Sequence, residues 1–268
     1  MARTRTAPSI AYDDEGEREP ALLLLSGWCA DRTVFADLAP ACSEHRRVLS
    51  LDWRGHGESD QPAADFGIEE LVEDALAVIR EANAQVVVPV SLAHAGWVAL
   101  ELRRRLAARV PAVVLIDWLV LEAPSPFLAV LGGLQDANAW LGTRELLYSM
   151  WLHNTDNRKV VRLVRETMSD HGFEMWSRGA REVAAAYLRE GSPLRAFAAL
   201  DPPVPALHMY AQPTDPAFLQ DQQHFAESHP WYSVRKLQAR SHFPMLEVPR
   251  EMAASIEAFV TASSGQAA

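Results

Sequence analysis

Six short apolar runs, each bounded by turn-forming residues, punctuate the chain at residues 22–25, 48–51, 86–90, 112–117, 206–210 and 232–236. The first four are mostly continuous rather than alternating, the pattern of parallel strands covered on both faces. Between and after them, residues 69–81, 95–107 and 250–262 place apolar side chains at three- and four-residue spacings, as amphipathic helices do. Strands alternating with helices predict a doubly wound, mostly parallel α/β sheet. From Asp117 to Ala206 the strand signal gives way to helical segments rich in large apolar groups, among them Phe127, Leu134, Trp140, Leu147, Trp151, Phe173, Trp176 and Tyr187. This predicts a helical cap at 121–199 inserted into a core made of 1–120 and 200–268. The cap would lie over the carboxyl ends of the strands, where open α/β sheets take their ligands. Most of the cap aromatics are expected to pack it on the core, with one or two facing the cleft. The tail, 263–268, is expected to fray.

Composition narrows the function classes. Hydrophobic residues at 49% and charged residues at 22% of 268 fit an ordinary globular chain with one large core. A formal charge of −10 argues against general affinity for nucleic acid or anionic membrane, since both need clustered Lys and Arg. The arginines at 103–105 and 178–181 read as local solvated faces. Cys29 and Cys42 form neither a disulfide framework nor a metal spacing and read as buried small hydrophobes, which fits a reducing, cytoplasmic setting. No stretch reaches the ~18 apolar residues of a membrane span. Nothing in the sequence points to a particular oligomeric state.

Two turns carry candidate chemistry. Asp52-Trp53-Arg54-Gly55-His56-Gly57-Glu58-Ser59 follows a strand and matches the sharp turn characteristic of α/β-hydrolases, with His56 read as serving the turn rather than catalysis. After the run at 86–90 comes Ser91-Leu92-Ala93-His94-Ala95-Gly96-Trp97, where a nucleophile elbow belongs. With Ala93 at the apex, Ser91 and Ala95 are the small flanking residues and Gly96 permits close packing of helix on strand. With Ser91 at the apex, Pro89 would be drawn into the turn. A methyl group at the apex forms no covalent intermediate. The oxyanion hole, built from backbone N–H groups, survives such a change and would be made by His94 and Trp28. His242, in Arg240-Ser241-His242-Phe243-Pro244 after the last strand, is the candidate base. Its acid partner is either Asp117 or Asp215, both at strand ends. The other histidines share no metal-ligand spacing, and no Gly-rich nucleotide motif is present, so no metal, nicotinamide, flavin or nucleotide is expected.

Gly27-Trp28-Cys29, Trp53-Arg54-Gly55-His56-Gly57, Pro89-Val90-Ser91 with His94 and Gly96-Trp97-Val98, Asp117-Trp118-Leu119, Trp151-Leu152, Gly191-Ser192-Pro193, His229-Pro230-Trp231 and His242-Phe243-Pro244 together resemble the cofactor-independent 2,4-dioxygenases of 3-hydroxy-4-oxoquinolines. The resemblance runs from about Leu22 to the final helix. It implies an α/β-hydrolase fold, no cofactor, and O₂ as co-substrate. It also implies His242 as the base for the substrate 3-hydroxyl, Asp117 rather than Asp215 as its supporting acid, Trp28 and His94 at the oxyanion hole, and Trp151 near the ring. Members acting on 2-methyl substrates carry serine at the apex and histidine after Trp-Cys, where this chain has Ala93 and Ala30. Both differences remove polar bulk, so the small-molecule partner implied is a quinolone with a longer 2-alkyl chain, as in the 2-heptyl quorum signal of Pseudomonas. That places the chain nearest the mycobacterial and rhodococcal alkylquinolone dioxygenases, with carbon monoxide and an N-acylanthranilate as products. Two other readings stand on the residues alone: an esterase or lyase using Ser91 or His242, and a non-catalytic small-molecule receptor.

Overall fold

The computed structural model describes residues 1–265. Among them one eight-stranded sheet forms, in the order β1-β2-β4-β3-β5-β6-β7-β8. Its strands are β1 (Ala2–Arg3), β2 (Ala11–Glu15), β3 (Ala21–Leu25), β4 (Val48–Leu51), β5 (Val87–Leu92), β6 (Val113–Ile116), β7 (Ala206–Tyr210) and β8 (Tyr232–Lys236). β1 to β2 and β2 to β4 pair antiparallel, and every other neighbour pair is parallel. The six expected strands are β3 to β8. Every residue of β3, β4, β5, β6 and β7 is buried, whereas β8 alternates at the sheet edge. β1 and β2 extend the opposite edge and had no sequence expectation.

The helices are α1 (Leu38–Ser43), α2 (Ile68–Glu81), α3 (Gly96–Leu106), α4 (Ser125–Gln135), α5 (Trp140–Trp151), α6 (Arg158–Arg162), α7 (Phe173–Glu190), α8 (Pro193–Ala198), α9 (Pro216–Ser228) and α10 (Pro249–Gly265). α1 packs with α10 and α2 with α3, while α4, α5 and α7 pack on one another between β6 and β7. Of the tail expected to fray, 263–265 continue α10 and 266–268 lie outside the described residues.

The chain leaves β3 for β4 on one side, then crosses back to β5 on the other. That reversal opens a crevice at the carboxyl ends of β3 and β5, the usual ligand position in such sheets. The loop after β3 and the turn after β5 are the segments brought there. Across the rim, Arg178 and Arg181 of α7 pair with Asp65 at 2.6 and 2.9 Å. This stretch, expected to be merely solvated, ties α7 to the loop ahead of α2. Cys29 and Cys42 are free and buried.

Candidate active site

The β5 turn is strained where an elbow is strained. Ala93 has φ +48°, a left-handed conformation costing a non-glycine residue about 1 kcal/mol or more. Ser91, the alternative apex, lies inside β5, fully buried, with its hydroxyl donating to the Val114 carbonyl at 3.2 Å. The apex is therefore Ala93. Gly96 faces Trp118 so closely that an added Cβ would sit 2.1 Å from the indole ring, which fixes how tightly α3 enters against the β6 end. His94, next to the apex, stands at the start of that helical segment, where N–H groups lack intrahelical acceptors.

Asp117 ends β6, also in a left-handed conformation at φ +46°. Its carboxylate is divided between two tasks. Oδ2 accepts the N–H groups of Ala211 at 2.6 Å and Gln212 at 3.1 Å, and Oδ1 meets His242 Nδ1 at 2.8 Å. A carboxylate at this position requires the proton on Nδ1, leaving Nε2 of His242 bare as a base. Asp215, the other candidate acid, is exposed and caps α9 by accepting the Ala217 N–H at 2.9 Å. The neighbouring Trp118 N–H donates to Nε2 of the buried His208 at 3.3 Å. His208 Nδ1 in turn donates to Gln222 Oε1 at 2.6 Å, which also accepts from the Tyr232 hydroxyl.

These groups open on a cavity of about 210 Å³. All seven residues singled out in the sequence line it: Trp28, Ala30, Ala93, His94, Asp117, Trp151 and His242. The remaining wall is largely apolar and comes from α4, α5 and α7, including Leu131, Leu134, Leu147 and Val183. Trp151, at the end of α5, lies flat on the His242 ring, centroids 5.0 Å apart at 10°. His94 stacks on Phe127 of α4 at 5.9 Å. Burial, with a smaller push from His242, drives the His94 imidazole down to about 3, so it is neutral at physiological pH. Nδ1 of His94 and Nε1 of Trp176 are buried in the cavity wall without hydrogen-bond partners. Among the described residues no group of three or more His, Cys, Asp or Glu side chains is placed to hold a metal ion, and no helix is long and apolar enough to cross a membrane.

A histidine and a carboxylate on loops after strands, an elbow and a cap are common to many hydrolases, so comparison with known proteins decides the family. The α/β hydrolase family model matches residues 22–255. The 2-heptyl-3-hydroxy-4(1H)-quinolone dioxygenase of Mycobacteroides abscessus is 37% identical, covering 94% of each chain. The chain belongs to the 3-hydroxy-4-quinolone dioxygenase family. The 1H-3-hydroxy-4-oxoquinoline 2,4-dioxygenase of Pseudomonas putida, another member, is 35% identical over 94% of this chain and 96% of its own. A solved structure of an AqdC variant in complex with its substrate, described for ring cleavage of the Pseudomonas quinolone signal, superposes with a TM-score of 0.93. It is 35% identical and covers 97% of this chain and 99% of its own.

Two groups at the site had no sequence expectation, and a third was expected only as one of the cap aromatics. Gln212 sends its amide to the carbonyls of Met150 at 3.3 Å and Arg240 at 2.9 Å, joining the end of α5 to the loop that carries His242. Glu247 braces the same loop by accepting the N–H groups of Arg240 at 2.7 Å and Ser241 at 3.0 Å. Trp176, noted only as a cap aromatic, lines the cavity. Gln212 follows directly on a strand run, which is the one signal that would have marked it; the others depend on tertiary facing.

Proposed function

We propose that this chain is a cofactor-independent dioxygenase that opens the heterocyclic ring of 2-alkyl-3-hydroxy-4(1H)-quinolones, with a chain such as heptyl at position 2. The observation that carries the reading is the His242–Asp117 pair, 2.8 Å apart, beside an elbow whose apex bears only a methyl group. This set can take a proton and stabilise an anion, and has no hydroxyl at the apex with which to acylate itself. His242 Nε2 removes the 3-hydroxyl proton, and Asp117 supports the imidazolium that forms. The backbone N–H groups of Trp28 and His94 share the charge on the 4-oxo group, while Trp151 and the apolar wall hold ring and tail.

The electron-rich organic anion supplies the electrons that O₂ requires. Oxygen bonds to C2 and then bridges to C4. The O–O bond and the two ring bonds to C3 break, and C3 leaves as carbon monoxide. One oxygen atom ends in the amide carbonyl and the other in the carboxylate of an N-acylanthranilate, which balances substrate plus O₂. The relatives named as 2-heptyl-3-hydroxy-4-quinolone dioxygenases support the alkyl preference, as do Ala30 and Ala93 in the cavity wall. In this reading residues 1–120 and 200–268 are the core, 121–199 are the cap that closes over the substrate, and the enzyme works in the cytoplasm without metal or flavin.

The test is incubation of chelator-treated protein with the heptyl substrate under ¹⁸O₂. Expected are O₂ uptake, carbon monoxide release, one label in each product carbonyl group, and loss of most activity in H242A. Absence of turnover by the wild type would overturn the proposal.

A further inference from the structure

We propose that His56 is a positioning residue for the oxyanion side of the site: it grips the loop after β3 through the Cys29 N–H and so sets the direction of the neighbouring Trp28 N–H. The inference rests on the proposed function, in which that N–H meets the substrate anion.

The loop at 27–30 leaves β3 and must reverse within a few residues. Cys29 is left-handed at φ +63° and completely buried, a conformation that its own side chain does nothing to favour. Two residues of the turn after β4 hold it. Trp53 donates its indole N–H to the Ser26 carbonyl at 2.8 Å, and His56 Nε2 accepts the Cys29 N–H at 3.1 Å. These anchors stand on either side of the Trp28 amide, one on the residue two before it and one on the residue after. A third restraint comes from α7, where the Met175 carbonyl accepts Trp28 Nε1 at 3.0 Å.

Only one state of His56 can do this. Its Nδ1 lies 3.0 Å from the Arg54 carbonyl, which can only accept, so Nδ1 carries the proton and Nε2 is the bare acceptor. An imidazolium would turn Nε2 into a second donor facing the Cys29 N–H. Burial, with the His171 ring 4.8 Å away, pushes His56 down to about 3 and keeps the accepting form in place. A histidine thus does the work of a backbone carbonyl, at a point where the chain has no carbonyl to offer.

The test compares wild type, H56Q and H56L in anaerobic titrations with 2-heptyl-3-hydroxy-4-quinolone, reading from the absorption spectrum the pH at which the bound ligand becomes the anion. Glutamine can bring an amide oxygen close to where Nε2 sits; leucine cannot accept. Loss of a whole oxyanion donor lowers kcat by ~10²–10³-fold, so a misdirected one should cost about tenfold. The expectation for H56L is about tenfold less bound anion at a given pH and a fall in kcat exceeding the change in KM. H56Q should stay within about threefold of wild type, since its amide oxygen restores the acceptor. If H56L is not recovered folded, H56N, whose shorter amide leaves the Cys29 N–H unreached, takes its place. Wild-type anion binding by H56L or H56N, or an H56Q no better than they are, overturns the inference alone. Failure of the wild type to bind the anion overturns the proposed function and this inference with it.

Discussion

Replacing Asp117 by asparagine should separate the two tasks of its carboxylate. Asparagine is nearly isosteric and tolerates the left-handed backbone of this position, φ +46°. Its amide oxygen can keep the N–H groups of Ala211 and Gln212, which the carboxylate now accepts at 2.6 and 3.1 Å. Its amide nitrogen then faces His242 Nδ1, which must become an acceptor, and the imidazole proton moves to Nε2. The base starts the reaction already protonated. It also loses its counter-charge: at about 4 Å and an effective dielectric of ~20, carboxylate–imidazolium attraction is ~4 kcal/mol. That corresponds to about three orders of magnitude in rate. Single-turnover stopped flow of D117N with oxygenated buffer should therefore show a ~10³-fold slower step at neutral pH, with a melting temperature close to wild type. As pH rises and the quinolone arrives already ionised, the deficit should shrink, because the missing function is proton removal. A D117N rate within tenfold of wild type at neutral pH, or a deficit that persists where the free substrate is ionised, would refute this account of the dyad.

Acid should unfold the protein through its buried histidines. Burial holds His56 and His94 down at about 3 and His208 at about 4, whereas an unfolded histidine titrates near 6.5. Between these values the unfolded chain binds more protons, so the stability conferred by neutral burial is complete above about pH 6.5 and drains as pH falls toward 4. The urea midpoint should fall across that window and more gently in H208Q; a flat midpoint from pH 6.5 to 4.5 would contradict the assignment. Gly179 of α7 faces Trp28, and an alanine Cβ would lie 2.4 Å from the indole. G179A should therefore cost ~1–3 kcal/mol by overpacking, outweighing alanine's better helix propensity. That is a melting temperature lower by roughly 2–10 °C, and an unchanged melt would show that the ring moves freely. Ala30 is buried and lines the cavity. A30H should raise KM for the heptyl substrate by about tenfold or more through lost space while sparing a 2-methyl analogue, and equal effects on both would argue against a size role.

What was legible in the chain, and what was not, follows from where each signal originates. β3 to β7 are buried throughout, so burial writes itself into the sequence as mostly continuous apolar runs, interrupted only by Ser50, Ser91 and His208. β2, with the sequence AYDDE, has only its first two residues fully buried and becomes a strand because β4 offers it an antiparallel edge. No local pattern announces that. Asp117 and the elbow could be placed from the sequence because each directly follows a strand, β6 and β5, and His242 because it lies in the loop that leads from β8 to the last helix, where the fold leaves little freedom of placement. Phe127, Trp176 and Glu247 were not: which face of a cap helix looks inward, and which carboxylate braces a loop, is decided by packing between segments far apart in sequence. Asp215 shows the limit of position alone, since it too follows a strand yet is spent capping α9.

Ala93 keeps a left-handed backbone although its methyl group has no chemistry to present. In a hydrolase that contortion is usually credited to the hydroxyl it displays. Here the display is empty and the contortion remains, and in the proposed reaction its purpose moves to the next peptide: what the bend presents is an amide, that of His94, rather than a side chain. The elbow is then a device with two outputs, and the proposed reaction runs on the second one only. Seen so, the route from a serine hydrolase to an oxygenase requires no new architecture, because the part of the elbow that handles negative charge belongs to the backbone and passes through a change of side chain untouched.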